Sequence, residues 1–521
     1  MSEYMHELSV RPTPNPATHD VEPPGASLPV NEGKDRDAEK VDDRASDHKV
    51  SFHIPLRQEI PFVFIICSSN IVTQASLGMT IAPLSVIGKS FGILNPGQMS
   101  WFVAAFSLTV GTFILIAGRL GDMFGHKRLF IGGFLWYGLW SLVTGFSAFS
   151  HSQIFFDFTR AMQGIGPAMM VPNSLAILGH HYPPGRRKEF VFALYGATAP
   201  NGFICGSVFG SLLAKYVWWP WEFWIMAVAC FLLGLLGIMF VPSTQDASMA
   251  EKVDRFDYLG ATTGVAGLVL FNVAWNQAPI VGWGNPYVII FLIIGIILTA
   301  FYLYIETKVS QPLIPQQVLS GKVGFVLGCI ALGWASFGIW IYYYFQFIEH
   351  LRHVTPLLGA AQNAAAGPAG ICAALTTAYL LSRVPTSWIM AMAMLPFCIG
   401  NILLSTMPVQ QTYWLQTFLS TIITPWGMDM SFPAGTIILS DLVPRECQGI
   451  AASLVVTVVN YSISLGLGIA GTVESHVNDN GQDLLKGYRG AFYAAIGLSG
   501  TGFILAIFFV LHENRSRDRS R

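Results

Sequence analysis

From residue 60 to residue 511 the chain repeats one pattern, a long apolar run followed by a short polar break, fourteen times over. A helix rises about 1.5 Å per residue and a hydrocarbon layer is about 30 Å thick, so one crossing takes roughly 20 predominantly apolar residues. Most of the runs meet that length. They predict spans over 60–84, 100–117, 129–148, 153–178, 190–213, 220–241, 258–278, 287–305, 323–347, 358–381, 387–406, 412–439, 449–472 and 490–511. In lipid the backbone has no water to bond, and an uninterrupted run satisfies its own N–H and C=O groups as a helix. The expected fold class is therefore an all-α, polytopic membrane protein with 14 transmembrane helices.

Composition supports that class. Only 11% of residues are charged, about half the share of a soluble domain, and the formal net charge of -1 gives no reason to expect nucleic acid as a partner. The seven cysteines sit almost entirely in apolar runs without a CxxC pair, so neither a disulfide framework nor a zinc site is expected. Residues 1–55 are rich in Pro, Asp, Glu, Lys, Ser and Gly, a mixture that buries too little apolar surface to offset chain entropy, and a disordered tail is expected there. No short apolar segment with a small-residue cleavage site precedes the first span, which is expected to direct insertion itself.

An even number of spans puts both ends on one side. If that side is the cytoplasm, its loops hold Arg119, Lys127, Arg128, Arg186, Arg187, Lys188, Lys252, Arg255, Lys308, Lys322, Arg383 and Arg445, against Lys89, Lys215, Arg352, Lys486 and Arg489 on the other face. The bias of Lys and Arg toward cytoplasmic loops then predicts that both termini are inside. Trp218, Trp219, Trp221 and Trp224 cluster at the outer end of the sixth span, and Tyr342, Tyr343 and Tyr344 at the end of the ninth. An interfacial belt is the expectation, with an aromatic substrate cage as its alternative.

Polar residues inside the spans point to the chemistry. Span one carries Ser69, Asn70, Thr73, Gln74, Ser76 and Thr80 at helical spacing, expected to line a wet cavity. Arg160 lies deep in span four, where a cation costs several kcal/mol unless it meets a partner or a cavity. Asp157, one turn earlier, is the candidate partner for a structural pair, and ion coupling is the functional alternative. Asp429 lies in span twelve between Pro425 and Gly427 on one side and Pro433 and Gly435 on the other. An acid in hydrocarbon among helix breakers is expected to be a proton or cation site, because freed backbone groups are tolerated there only against a cavity or neighbouring protein. A hydrogen-bonded Asp that staples two helices is the alternative. Glu222, at the start of span six, is expected to be solvated. No P-loop ending, nucleophile–base pair or sizeable soluble domain is present, so an enzyme, a nucleotide site and a cofactor are not expected.

Three local patterns carry a resemblance. GRLGDMFGHKR, from Gly118 to Arg128, reads as a tight turn in which Gly118, Gly121 and Gly125 bend the backbone while Arg119, Asp122, Lys127 and Arg128 supply charge. RAMQGIGPAMMVPNS places Gln163, Gly164 and Pro172 after Arg160. LYGATAPNGFICGSVFGSLL sets Gly196 and Pro200 before Gly202, Gly206 and Gly210, a stripe that permits close helix approach. In this order the three resemble motifs of the major facilitator superfamily: its inner-gate loop, its span-four Arg motif and the span-five antiporter motif, although Ala199 replaces the usual Gly before Pro.

The chain from about 60 to 511 is similar to the fourteen-span drug:proton antiporters of that superfamily, and PNSLAILGHHYPPGRRK, WPWEFW and GMDMSFPAGTIILS resemble its fungal subgroup of aminotriazole-resistance, boron-efflux and ammonium-facilitator proteins. The resemblance implies a six-helix half over 56–241, two added helices over 242–306, a second six-helix half over 307–511 and a cytoplasmic tail over 512–521. It also implies that Asp122 and Arg119 make charge contacts holding the halves together on the cytoplasmic side. The wider family often has an Asp where this chain has Gln74, which shifts the expected coupling role to Asp429 and Arg160. The function implied is a plasma-membrane secondary transporter exchanging protons for a small toxic compound. A facilitator of ammonium or another small polar solute is the alternative, and a non-transporting membrane sensor a third possibility.

Overall fold

The computed structural model describes residues 56–93, 95–182, 185–242, 257–309, 312–314, 321–443, 448–479 and 481–520. The tail expected over 1–55, Cys447 and the loop cations Lys252, Arg255 and Arg445 lie outside the described residues. No strand occurs among those described. The helices are α1 Leu56–Ile81, α2 Leu84–Ser90, α3 Pro96–Met99, α4 Trp101–Phe124, α5 His126–Phe146, α6 Gln153–His181, α7 Arg186–Tyr216, α8 Pro220–Phe240 and α9 Tyr258–Val281. They continue as α10 Pro286–Glu306, α11 Gly321–Gln346, α12 Pro356–Asn363, α13 Ala366–Leu381, α14 Thr386–Ser405, α15 Gln416–Leu442, α16 Gln448–Val477 and α17 Leu484–Ser520.

Eleven of these helical segments are long and apolar enough to cross a membrane. The long helices α6, α7 and α15 fall outside that set and carry internal prolines: Pro167 and Pro172, Pro200, and Pro425 with Pro433. The expected spans differ most at three places. The second span runs on as α4 to Phe124 rather than ending near 117, the tenth run is split between α12 and α13, and α17 stays helical to Ser520 rather than ending near 511. All three follow from hydropathy marking where a chain is apolar, whereas helices start and stop on capping and backbone geometry. Thr355, for example, caps α12 by accepting the Leu358 N–H, and Pro356 occupies its first turn.

Packing sorts the helices into two bundles and a hairpin. In the first bundle α1 packs on α7 and α8, α6 on α4 and α5, and α5 on α8. In the second, α14 packs on α15 and α17, α11 on α16 and α17, and α13 on α15. Helices α9 and α10 pair as a hairpin leaning on α4 and α16. Ile290, Ile293, Ile297 and Phe301 of α10 remain exposed, a row of apolar side chains that only lipid can cover.

Glycine sets the closest approaches. A Cβ on Gly206 would lie 2.6 Å from the Ala75 Cα, one on Gly202 2.9 Å from the Ile71 Cα, and one on Gly210 2.7 Å from the Met79 Cα. The span-five stripe is thus the surface on which α7 lies against α1, backbone to backbone, the geometry that small residues make available in membranes.

The bundles meet along two seams. On one, α4 lies against α16: a Cβ on Gly111 would come 2.8 Å from the Tyr461 nitrogen, and Ser464 Oγ stands 3.2 Å from the Ala104 carbonyl. On the other, α12 and α13 face α7. At the end away from the α4–α5 turn the bundles share one apolar cluster, with Ile81, Phe102, Phe156 and Phe223 from the first and Ile339, Phe345, Ile348 and Phe492 from the second. Tyr342 crosses the same boundary, donating to the Pro96 carbonyl at 2.5 Å. Toward the α4–α5 turn lie two separate clusters, one built on Phe62, Phe130 and Ile177, the other on Ile330, Met390 and Leu454, joined there by a small one of Ile114, Ala168, Val171 and Val456. The broadest apolar contact between the bundles, and with it the seal, lies at the end away from that turn.

The belt expected at 342–344 is corrected by this packing. Tyr342, Tyr343 and Tyr344 are all fully buried, because the helix continues past them through a wider turn, Phe347–Leu351, and they lie inside the seal. Trp219 is buried with them, while Trp218 and Trp221 stay exposed.

Gly206→Val should lower the stability of the protein by about 1–3 kcal/mol, the usual cost of overpacking. Gly196, whose Cβ position meets no atom within 4 Å, should accept Ala without loss. Thermal unfolding of the detergent-purified chain would separate the two.

Candidate functional site

The sequence places Arg160 two turns into α6, and the fold surrounds it with acceptors from three helices. Its guanidinium donates to the Phe102 carbonyl of α4 at 3.0 Å, to Ser76 Oγ of α1 at 2.9 Å and to Gln163 Oε1 one turn along α6. Gln163 in turn donates to Ser141 Oγ of α5 at 2.6 Å. The ring of Phe106 lies 4.6 Å from the guanidinium carbon. Arg160, Ser76, Gln163 and Ser141 are each 0% exposed. A charge in a water-free interior costs several kcal/mol unless dipoles replace its hydration, and here four helices supply them.

The structural pair with Asp157 does not form. Asp157 Oδ1 is buried without a hydrogen-bond partner among the described residues; although residues three apart share a helix face, the guanidinium is taken by the Phe102 carbonyl and Ser76 Oγ of α4 and α1. The solvated Glu222 is also overturned. It is 2% exposed, and neither carboxyl oxygen finds a hydrogen bond among the described residues. Glu222 opens α8 on its buried side, its Oε2 2.8 Å from a Cβ position at Gly210 of α7, so its place near a span end did not bring it to water. Sequence reasoning missed this role, although an acid inside WPWEFW was a visible signal.

Asp429 is brought to the second seam. Proline at 425 and 433 flank it within a continuous α15. Its Oδ2 would be 2.7 Å from a Cβ on Gly370 of α13, and the Pro200 Cβ of α7 would be 3.5 Å from the same point. The acid of one bundle and the antiporter-motif proline of the other therefore converge on a bare glycine. Asp429 is half-buried and has no hydrogen bond or ion pair among the described residues.

At the α4–α5 hairpin the expected turn is shorter than the motif. Gly118 and Gly121 are helical, and Gly125 alone bends the chain, with φ +95°. Gly121 is needed for another reason: a Cβ there would run into His126 and the Asn173 amide of α6. Asn173 Nδ2 donates to the Ala117 carbonyl at 3.2 Å and its Oδ1 meets His126 Nδ1 at 2.8 Å, binding the hairpin to α6. Asp122 Oδ1 lies 3.5 Å from His126 Nε2, a partner on its own hairpin. Gly118 looks across the first seam, its Cβ position 3.5 Å from Ser453 Oγ of α16. Gly164 packs on Thr109 and Phe106 of α4, and Pro172 lies beside Gly118.

The polar residues of α1 divide between two sides of the helix. Ser69, Thr73 and Thr80 are buried and donate to carbonyls of their own helix. Asn70 bridges to α7, donating to the Tyr195 carbonyl at 3.0 Å, and Gln74 is half-buried.

Residues 65–361 and 324–521 match the Major Facilitator Superfamily. The low affinity ammonium transporter of Saccharomyces cerevisiae is 57% identical over 86% of this chain and 88% of its own length. The efflux pump terJ of Aspergillus terreus is 47% identical over 88% and 89%. Among solved structures, the nucleoside transporter NupG superposes with a TM-score of 0.60 at 12% identity, covering 86% of this chain and 99% of its own, a likeness of fold alone. The chain belongs to the major facilitator superfamily. It is a multi-pass membrane transporter of small molecules, neither an enzyme nor a sensor that lacks transport.

Gln163→Leu should destabilise the protein by about 1.5–3 kcal/mol, the contribution of a hydrogen bond to a charged group, since it strips one acceptor from Arg160. Ser69→Ala, which removes only a bond to its own helix, should cost less than about 1 kcal/mol. Denaturation midpoints of the purified variants would rank them.

Proposed function

We propose that this chain is a proton-coupled exporter of small toxic solutes, working by alternating access between its two bundles. The observation that carries the reading is the meeting of Asp429, Gly370 and Pro200 at the seam, which puts an ionisable group where the bundles slide past one another. Secondary transporters of this architecture bind near mid-membrane at the junction of their repeats and rock about that site. In this reading α6, α7 and α15, with 29, 31 and 27 residues, join the eleven apolar segments to make fourteen crossings. Residues 56–241 and 307–511 are the two moving halves, and 242–306 holds the added pair.

The sealed end is the outer one, as the Lys and Arg bias implies, so the conformer faces the cytoplasm at the plasma membrane. Both termini lie on the cytoplasmic side, and Arg119 and Asp122 gate that face. Proton binding at Asp429 neutralises the acid and lets the seam close around an occupied site. Gln74, Asn70 and Asn201 face the path and select a small polar solute, and Arg160 with its α1 partner Ser76 transmits the change across the first half. The efflux pump among the relatives supports outward movement. A second reading, a facilitator of ammonium, is favoured by the relative of that name at 57% identity and by Gln74 in place of a span-one acid.

Reconstituted vesicles loaded with aminotriazole, borate or methylammonium, at two imposed pH gradients, test both readings. An exporter drives solute movement in proportion to the gradient, and Asp429→Asn abolishes that dependence while downhill exchange survives. A facilitator moves methylammonium equally at both gradients, and full gradient-driven transport by Asp429→Asn would overturn the proposal.

A further inference from the structure

The first bundle holds a second carboxyl that the Asp429 site does not use. Glu222 lies in the first turn of α8, next to Phe223, whose ring is 5.8 Å from the Arg160 guanidinium carbon. Its Oε2 would be 2.8 Å from a Cβ on Gly210 of α7, the same point that lies 2.7 Å from the Met79 Cα of α1. The acid is thus enclosed between α1, α6, α7 and α8, with both oxygens unbonded among the described residues.

The charged and titratable groups around it are few. Arg160 of α6 lies over the ring of Phe223, the residue next to Glu222, and Asp157 sits three residues before it on α6. Helix α5 contributes the Tyr137 phenol to the surroundings of Arg160. On α7, Lys215 is exposed and stacks over Tyr216 at 5.0 Å, away from the enclosure. Of the titratable groups of α1, Arg57 and Glu59 belong to its opposite end, where Glu59 accepts from Tyr182 and Arg187, and Cys67 lies near its middle.

An acid walled in beside a cation yet making no bond to it is stable as the neutral carboxylic acid, because an ionised one would lack hydration and hydrogen bonds at once. The cation meanwhile bonds to Ser76 of a different helix. Two arrangements of Arg160 are therefore available. We propose that Glu222 is a second proton-binding carboxyl, and that Arg160 trades Ser76 for Glu222 when that proton leaves. Loss of the proton creates a carboxylate whose best partner is the guanidinium, and taking it frees α1 from α6. Return of the proton releases the guanidinium to Ser76. The proton comes from and returns to water at the end that is sealed here, which Glu222 adjoins. The inference rests on reading the chain as a proton-coupled carrier, and it adds a site in the first bundle to the one at the seam.

Infrared difference spectra of the purified full-length chain, recorded between acid and alkaline pH, report carboxylic acids directly without any transported solute. Glu222→Gln should remove one protonated-carboxyl band, Asp429→Asn a different one, and Glu222→Asp should keep a band at a shifted frequency. In vesicles, Glu222→Gln should retain methylammonium or aminotriazole exchange and lose the accompanying proton flux, with Glu222→Asp restoring part of it. A Glu222→Gln spectrum identical to that of the parent would overturn the proposal, and so would unaltered proton flux in that variant. If the parent itself moves no protons, the carrier reading fails while the infrared result still decides whether Glu222 binds one. Should Glu222→Gln not purify, the frequency shift in Glu222→Asp decides the same point.

Discussion

Arg160 is the constraint around which the first bundle is arranged. A guanidinium in hydrocarbon has no water to satisfy its donors, so the surrounding helices must present oxygen atoms at the right height. Phe102 O, Ser76 Oγ and Gln163 Oε1 do so from α4, α1 and α6, and Ser141 extends the network to α5. Each of these contacts fixes the rotation of a helix about its axis. The glycine stripe of α7 then brings α1 and α7 together at backbone distance, which leaves little freedom in how the bundle closes.

Across the molecule the forces differ at the two ends. The sealed end depends on bulk apolar contact, a single cluster drawing on both bundles, with the Tyr342 hydroxyl as a polar pin. Contacts of that kind are numerous and individually weak, so they can be exchanged for others of similar strength. The seams below it are lined by glycine: Gly111 meets the backbone of Tyr461 and Thr457, while Gly367 and Gly370 make room for the side chains of Ile204, Pro200 and Asp429. The first bundle thus meets the second along close seams, one of which carries an acid.

How much was legible beforehand depended on whether a signal was local. Most helices fell close to the expected spans because apolar length is a property of contiguous sequence, and the positive-φ turn at Gly125 fell inside the expected motif. Arg160 and Asp429 could be picked out because a charge in a long apolar run is conspicuous wherever it points. The errors came from residues whose environment is set by distant segments. Glu222 and Tyr342 to Tyr344 lie near the ends of apolar runs, where water or headgroups were the reasonable expectation, yet chain from the other bundle covers the tyrosines, and α1 and α7 close on the acid. The pairing of Arg160 with Asp157 failed for the same reason, since nearness along one helix lost to acceptors on two others.

The amino-acid sequence by itself determined that this is a helical membrane protein of the major facilitator type, because hydrophobic length, loop charge and short glycine motifs are written in consecutive residues. Only the tertiary structure decided which groups meet: Arg160 with Ser76 and Phe102, Asp429 with Gly370 and Pro200, Glu222 with Gly210. Those pairings join residues up to about 230 positions apart in the chain. Their distances follow from how helices rotate and stack in lipid, where the partner that satisfies a buried polar group is chosen by packing and by no local pattern.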